Sequence, residues 1–295
     1  MPDRWVNPAG WGRHPHRVRA GGRPRRPGRP VVGGAAGMAR SGSAHPTRST
    51  WTARATAGAA NGVSRPAGWT YTAGMGGGEG VRHLVWDWNG TLFDDQVAVV
   101  AAVNDALARL GLPAIDTDGY RTHFTRPVER FYEQVAGRAI SAEEWEALDA
   151  AYHDSYLGRL ERVALASDAR DALAAAEAAG LSQSLLSMWR HDDLVRLVER
   201  LGIGRFFVRV DGLRRSDGGG KAEHLVQHLA ALELAPSAVV LVGDALDDLA
   251  AARAVGAGCV LYDGGSHHRQ ALEATGSPVV DTLADAVAAA QPSAS

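Results

Sequence analysis

Lysine and cysteine each occur once in this 295-residue chain. A single cysteine, Cys259, excludes any intrachain disulfide and fits a reducing compartment. Its setting, Cys259-Val260-Leu261-Tyr262, is apolar, so a buried structural thiol is expected. Long apolar runs are missing as well. None approaches the ~20 residues of a membrane-spanning helix, and the N-terminal stretch lacks the apolar centre of a secretory signal. The expectation is a cytoplasmic protein with no membrane partner. Arginine outnumbers lysine 30 to 1, a bias that reads as GC-rich coding. Against that background Lys221 stands where arginine is the default cation.

Acidic residues are scarce at the front. Residues 1–80 hold 12 Arg and only two acids, Asp3 and Glu79, a balance of +10 against −12 for the remainder. They also contain 17 of the 35 Gly and 8 of the 13 Pro. No helix or strand period is sustained over 1–78, and such a segment cannot bury enough apolar surface to offset its ordering entropy. It is expected to be a disordered basic stretch, best read as translated upstream sequence, with Met75 as the start. The arginines are dispersed and Trp5, Trp11, Trp51 and Trp69 are irregularly spaced, which disfavours a nucleic-acid arm.

What is present begins at His83-Leu-Val-Trp-Asp87, an apolar run that ends in a carboxylate. From Gln96 to Leu110 the spacing of Val97, Val100, Val103 and Leu107 predicts a helix closed by Gly111 and Pro113. Ser141 and Glu144 form a capping-box pattern. The helix they open carries Trp145, Leu148, Tyr152 and Tyr156 on one face. Residues 98–164 are therefore predicted helical, with no strand. Strands and helices then alternate: strands at Leu181–Ser187, Phe206–Val210, Ala238–Val242 and Cys259–Tyr262, with helices between them and a last helix near 282–290. Regular alternation predicts an α/β fold, a parallel sheet covered on both faces. The expected division is 79–97 plus 165–295 for this core and 98–164 for an inserted helical block.

Ligands of open parallel sheets sit beyond the carboxyl ends of the strands. Asp87, Asn89 and Thr91 follow the first strand, and Ser187 ends the second. Lys221 follows Gly218-Gly219-Gly220, and Gly243, Asp244, Asp247 and Asp248 follow the fourth. Read alone, Asp87 and Asp244 are helix-capping or strand-end acids, Ser187 a strand-end serine and Lys221 a surface lysine. Together they suit phosphoryl transfer. Carboxylates would hold a hard cation such as Mg²⁺, Lys221 would neutralise transferred charge, and Ser187 would donate to phosphate oxygens. Asp87 could attack phosphorus. Asp247 is expected as a solvated neighbour, His267-His268 as a loop pair, and Trp86 and Trp88 on opposite sides of the first strand. His123, Arg126 and Arg190 are open between substrate contact and plain exposure.

Asp-Trp-Asn-Gly-Thr-Leu at 87–92, Leu-Leu-Ser at 185–187, Lys221, and Val-Gly-Asp-Ala-Leu-Asp-Asp at 242–248 resemble, in order, the four motifs of the haloacid dehalogenase-like hydrolases. The likeness spans about 81–290. The block 98–164 resembles the α-helical cap of phosphoglycolate-phosphatase-like members. The resemblance implies a Rossmann-like core, Mg²⁺ dependence, a phosphoaspartyl intermediate and a small phosphorylated metabolite as substrate. It assigns Asp87 as nucleophile and metal ligand, and Asn89 (through its main-chain carbonyl), Asp244 and Asp248 (as ligand or just behind the ligands) to the metal. Thr91, Ser187 and Lys221 go to the phosphate.

One position departs from that pattern. Asn89 stands where most phosphatases of the family carry the Asp that exchanges protons with leaving group and water. General acid–base catalysis is worth roughly 10²–10⁴-fold, so a catalytically weak, Mg²⁺- and phosphate-binding regulatory protein is the alternative reading. Asp94 or Asp95 could substitute, or the leaving group could need little protonation. A phosphonoacetaldehyde hydrolase is excluded because the helical block has no lysine for a Schiff base. A 2-haloacid dehalogenase leaves the acidic cluster at 244–248 unexplained.

Overall fold

The computed structural model describes residues 81–214 and 219–291, together with Thr52–Ala53 and Trp69–Thr70, which pair as a two-residue antiparallel ladder. Expectations for the rest of 1–80, Met75 included, and for Gly218 lie outside the described residues.

Six parallel strands form the main sheet: β1 (His83–Trp86), β2 (Ser182–Arg190), β3 (Arg209–Leu213), β4 (Val239–Gly243), β5 (Gly258–Tyr262) and β6 (Val279–Val280). Their order is β3-β2-β1-β4-β5-β6. The chain leaves β1 in one direction and later returns to its other side as β4. Between β1 and β4 the order reverses, and at such a switch point a crevice opens at the carboxyl ends of the strands. Trp86 is level with Leu185 of β2 and Val242 of β4, so the residues just beyond them converge on that crevice.

Successive residues point to opposite faces of a strand, and the sheet divides the core accordingly. Leu84, Trp86, Val240, Val242 and Val260 pack on one face with α5 (Ala169–Ala178), α6 (His191–Arg200) and α10 (Leu283–Ala290). Val85, Val239, Leu241, Cys259 and Leu261 pack on the other with α7 (Lys221–Ala231), α8 (Leu246–Val255) and the short α9 (Arg269–Glu273). Cys259 is buried, as its apolar setting predicts. Trp88 corrects an expectation: it lies in the turn past the end of β1, in the same buried cluster as Trp86, and it stacks on Phe93 at 4.8 Å.

Between β1 and α5 the chain forms four more helices: α1 (Gln96–Arg109), α2 (Thr117–His123), α3 (Val128–Ala136) and α4 (Ala142–Leu157). The capping box is formed at α4, with Glu144 N donating to Ser141 Oγ at 3.2 Å and Ser141 N to Glu144 Oε2 at 2.9 Å. Leu148, Tyr152 and Tyr156 are buried, as their spacing predicts.

On the α7 face a polar chain crosses the core. His83 contacts the hydroxyls of Ser182 and Ser184 at 2.6 and 2.7 Å. His228 of α7 reaches Ser184 at 2.7 Å and Asp211 of β3 at 2.8 Å. Burial, then the neighbouring His228, lowers the His83 pKa to about 4. Burial alone would raise Asp211, but the bond from His228 and the Arg209 guanidinium outweigh it and bring it to about 2. A neutral His83 beside a His228–Asp211 pair satisfies these buried groups and ties the helix that begins at Lys221 to β2 and β3.

Candidate active site

Each motif delivers its side chain through local backbone chemistry. Asp87 follows β1, and its N–H donates to Val242 O of β4 at 2.8 Å. The turn beyond it needs Gly90, whose φ is +70° and where a Cβ would stand 2.6 Å from Asp244 Oδ2. Gly243 is required in the same way, since a Cβ there would lie 2.3 Å from Asp248 Oδ2. Asp248 Oδ2 accepts from Ala245 N at 2.9 Å, which caps α8 and leaves Oδ1 to meet Lys221.

The result is a buried cluster. Oxygens of Asp87, Asp244 and Asp248 lie within 4.8 Å of one another. The Lys221 ammonium pairs with both Asp87 and Asp248. Three carboxylates against one ammonium leave a formal surplus of two negative charges. At these separations each like pair repels by roughly 3 kcal/mol at an effective dielectric of about 20, and Lys221 cannot offset all of it. Burial pushes the Asp87 carboxyl up to about 8, although Lys221 pulls it down. Burial, and then Asp248, raise Asp244 to about 6. Lys221 is opposed by its own burial, but Asp248 and Asp87 hold its pKa above the usual lysine value. An all-oxygen donor set carrying excess negative charge fits a hard divalent cation such as Mg²⁺.

These groups form the floor of a cleft with about 660 Å³ of empty space, to which Asn89, Ser187 and Lys221 also contribute. Thr91 does not line it. Expected among the phosphate contacts, Thr91 is fully buried, its hydroxyl 3.2 Å from Asp244 Oδ1 and 3.5 Å from Asp87 Oδ2, where it spaces the two carboxylates. Ser187 accepts from Trp189 N at 3.0 Å and keeps its own O–H to donate.

Asn89 is not idle. Its Nδ2 donates to Asp95 Oδ2 at 2.7 Å and lies 2.9 Å from the Tyr156 hydroxyl. Tyr156 also donates to Asp95, and Gly90 N donates to Asp95 Oδ1 at 2.9 Å. Asp95 is buried, and that burial raises its pKa despite the donors around it. Of the two downstream acids, Asp95 lines the cleft and Asp94 is exposed outside it.

Arg126 and Asp247 both line the cleft and pair with each other, so Asp247 is more than a solvated neighbour. Neither His123 nor Arg190 lines it; Arg190 lies 3.5 Å from Asp193. His267 is in a loop as expected, but buried against Phe124 at 5.3 Å. Sequence reasoning missed Tyr120, Tyr156, Trp189 and Ser266. Ser266 N donates to Asp244 Oδ2 at 2.6 Å, and Gly265 allows it, since a Cβ there would sit 2.0 Å from that oxygen. The Gly264-Gly265 pair after β5 was the available signal.

A model of the haloacid dehalogenase-like hydrolases matches residues 81–256. The chain belongs to that family, as its four motifs suggested. It is 25% identical over 211 residues to a phosphoglycolate phosphatase of Pseudomonas fluorescens, covering 68% of this chain and 77% of that one. It is 28% identical over 206 residues to the tyrosine-protein kinase PtkA of Mycobacterium tuberculosis, covering 69% of each. Its fold matches a haloacid dehalogenase-like protein of Streptococcus pneumoniae with a TM-score of 0.63 at 19% identity, over 72% of this chain and 99% of that one. Among the described residues no helix is long and apolar enough to cross a membrane.

Proposed function

We propose that the chain is a Mg²⁺-dependent phosphatase acting on a small phosphorylated metabolite through a phosphoaspartyl intermediate on Asp87. The observation that carries this is the buried Asp87–Asp244–Asp248 cluster closed by Lys221 at the cleft floor. The phosphoglycolate phosphatases among its relatives support it. Asp87, Asp244, Asp248 and the Asn89 main-chain carbonyl would hold Mg²⁺, which would supply charge neutralisation for the phosphoryl oxygens. Ser187 and Lys221 bind phosphate oxygens, and Asp87 attacks phosphorus. The block 98–164 acts as the cap: Tyr120, Phe124, Arg126, Tyr152 and Tyr156 come from it to roof the cleft, which limits substrates to those small enough to enclose.

The test is phosphate release by the full chain from a panel of small monoesters, with metal removed and restored. It runs beside an assay for transfer from ATP to a tyrosine-containing peptide. Mg²⁺-dependent release without transfer is expected; transfer without release would overturn the reading. Binding of Mg²⁺ and phosphate without turnover would favour the weak, regulatory alternative that Asn89 raises.

A pH dependence follows. Asp87 and Asp244 have folded pKa values of about 8 and 6, above the roughly 3.9 of an unfolded Asp. The folded state therefore binds more protons over that interval, and stability of the metal-free protein falls as pH rises from about 4 through 6 to 8. Mg²⁺ competes with those protons. The melting shift on adding Mg²⁺ should be larger at pH 8 than at pH 5, which thermal melts with and without chelator will measure.

A further inference from the structure

The phosphatase reading leaves open what departs from phosphorus, and three features of the cleft bear on it. The position facing the ester has no proton to give. An amide at Asn89 is not an acid, and the neighbouring carboxyl, Asp95, has both oxygens engaged by donors: Asn89 and Tyr156 on Oδ2, Gly90 N on Oδ1. Part of the cleft lining is aromatic. Tyr120, Phe124, Tyr152, Tyr156 and Trp189 form this part. Tyr152 and Tyr156 stack at 5.7 Å, and Trp189 meets Tyr156 edge-on at 5.2 Å. Finally, two buried N–H donors of cleft-lining side chains, Trp189 Nε1 and Gln96 Nε2, have no partner among the described residues. Such donors are left unpaired only at a penalty, and an acceptor on a bound molecule would satisfy them.

Resting on the phosphatase reading, we infer that the preferred substrates are aryl phosphates: monoesters of a phenolic oxygen on a flat ring that carries a hydrogen-bond acceptor. A phenol has a pKa near ~10, whereas an alcohol is comparable to water at about 15.7. A phenolate therefore leaves without the proton that Asn89 cannot supply. In the first step an Asp87 oxygen bonds to phosphorus, and the phosphorus–oxygen bond to the ring breaks with its electron pair on the aryl oxygen. In the second, water attacks the phosphoaspartate. This returns the Asp87 carboxylate and inorganic phosphate, and the water proton passes to solvent, where the phenolate takes it up. The ring rests against the aromatic wall, where aromatic pairs contribute beyond their buried area.

The experiment compares kcat/KM of the full chain with Mg²⁺ for phenyl phosphates of graded phenol acidity, for benzyl phosphate, which has the ring but an alcohol oxygen, and for acetyl phosphate, which has a good leaving group but no ring. Phenyl phosphate should exceed benzyl phosphate by about 10²-fold or more, the scale of the missing acid catalysis. Rates should rise with phenol acidity, and acetyl phosphate should show a higher KM than 4-nitrophenyl phosphate. Equal rates for phenyl and benzyl phosphate, with no dependence on phenol acidity, would overturn the inference and leave the phosphatase reading intact. An acetyl phosphate KM as low as that of the aryl esters would overturn the role of the wall. No Mg²⁺-dependent release from any monoester would instead remove the phosphatase reading itself.

Discussion

Replacing Asp87 with Asn should reduce phosphate release on the order of 10⁴–10⁶-fold, the scale seen when a catalytic nucleophile is removed, and should make the metal-free protein harder to melt at pH 8. The two effects share one cause. Asp87 lies in a buried group with Asp244 and Asp248, whose oxygens are within 4.8 Å, and burial has already pushed its pKa up to about 8. Removing its charge relieves two like-charge contacts. Lys221 loses one partner but keeps Asp248. The amide has the shape of the carboxylate and can still accept from Thr91, which lies 3.5 Å from Oδ2. A side chain that destabilises its own surroundings is retained where chemistry needs it. Thermal melts in chelator and steady-state kinetics with Mg²⁺ check both parts. Lower stability together with lost activity would mark Asp87 as a structural residue.

Much of this arrangement was legible because it follows from periodicity. The alternating faces of β1, β4 and β5 are written in Leu84-Val85-Trp86 and in Val239 to Val242, and strand ends then locate Asp87 and Asp244. Where the period is weak, spacing misleads. It predicts a strand at Phe206–Val210, but Gly204–Phe206 is a 3₁₀ turn and β3 runs from Arg209 to Leu213. That edge strand is mostly half-buried and contains Asp211 and Gly212, so apolar spacing does not mark it. The second strand runs three residues past Ser187 to Arg190, and the two-residue Val279–Val280 is too short to carry a pattern. The least legible part was the Asp95–Asn89–Tyr156 unit. Asp95 and Tyr156 are 61 positions apart, and no local rule links a helix-flanking acid to a tyrosine on α4. Sequence could show that Asn89 lacks an acid's proton; only the fold shows that its amide is held by a carboxylate.

That contact decides what happens when the common family residue is put back. Asn89→Asp places a second carboxylate where Nδ2 now donates to Asp95 Oδ2 at 2.7 Å. Two carboxyls at that distance cannot both ionise, so one must take a proton, and Tyr156 can serve only one of them. The single variant should lose roughly 2–4 kcal/mol of stability and gain no more than about threefold on alkyl phosphates, well short of full acid–base catalysis. Exchanging the pair reverses the polarity of the contact. In the double variant, Asn89→Asp with Asp95→Asn, the introduced amide can donate to the introduced carboxylate and still accept from Gly90 N. Tyr156 can donate to that same carboxylate. Stability should recover to within about 1 kcal/mol of the parent. Turnover of benzyl phosphate should then rise by on the order of 10²–10⁴-fold, with the dependence on leaving-group acidity flattened. Urea midpoints and kcat/KM for the four proteins of the cycle measure the coupling. A large gain from Asn89→Asp alone would show that Asp95 does not hold this position, and that the asparagine merely silences an ordinary phosphatase site.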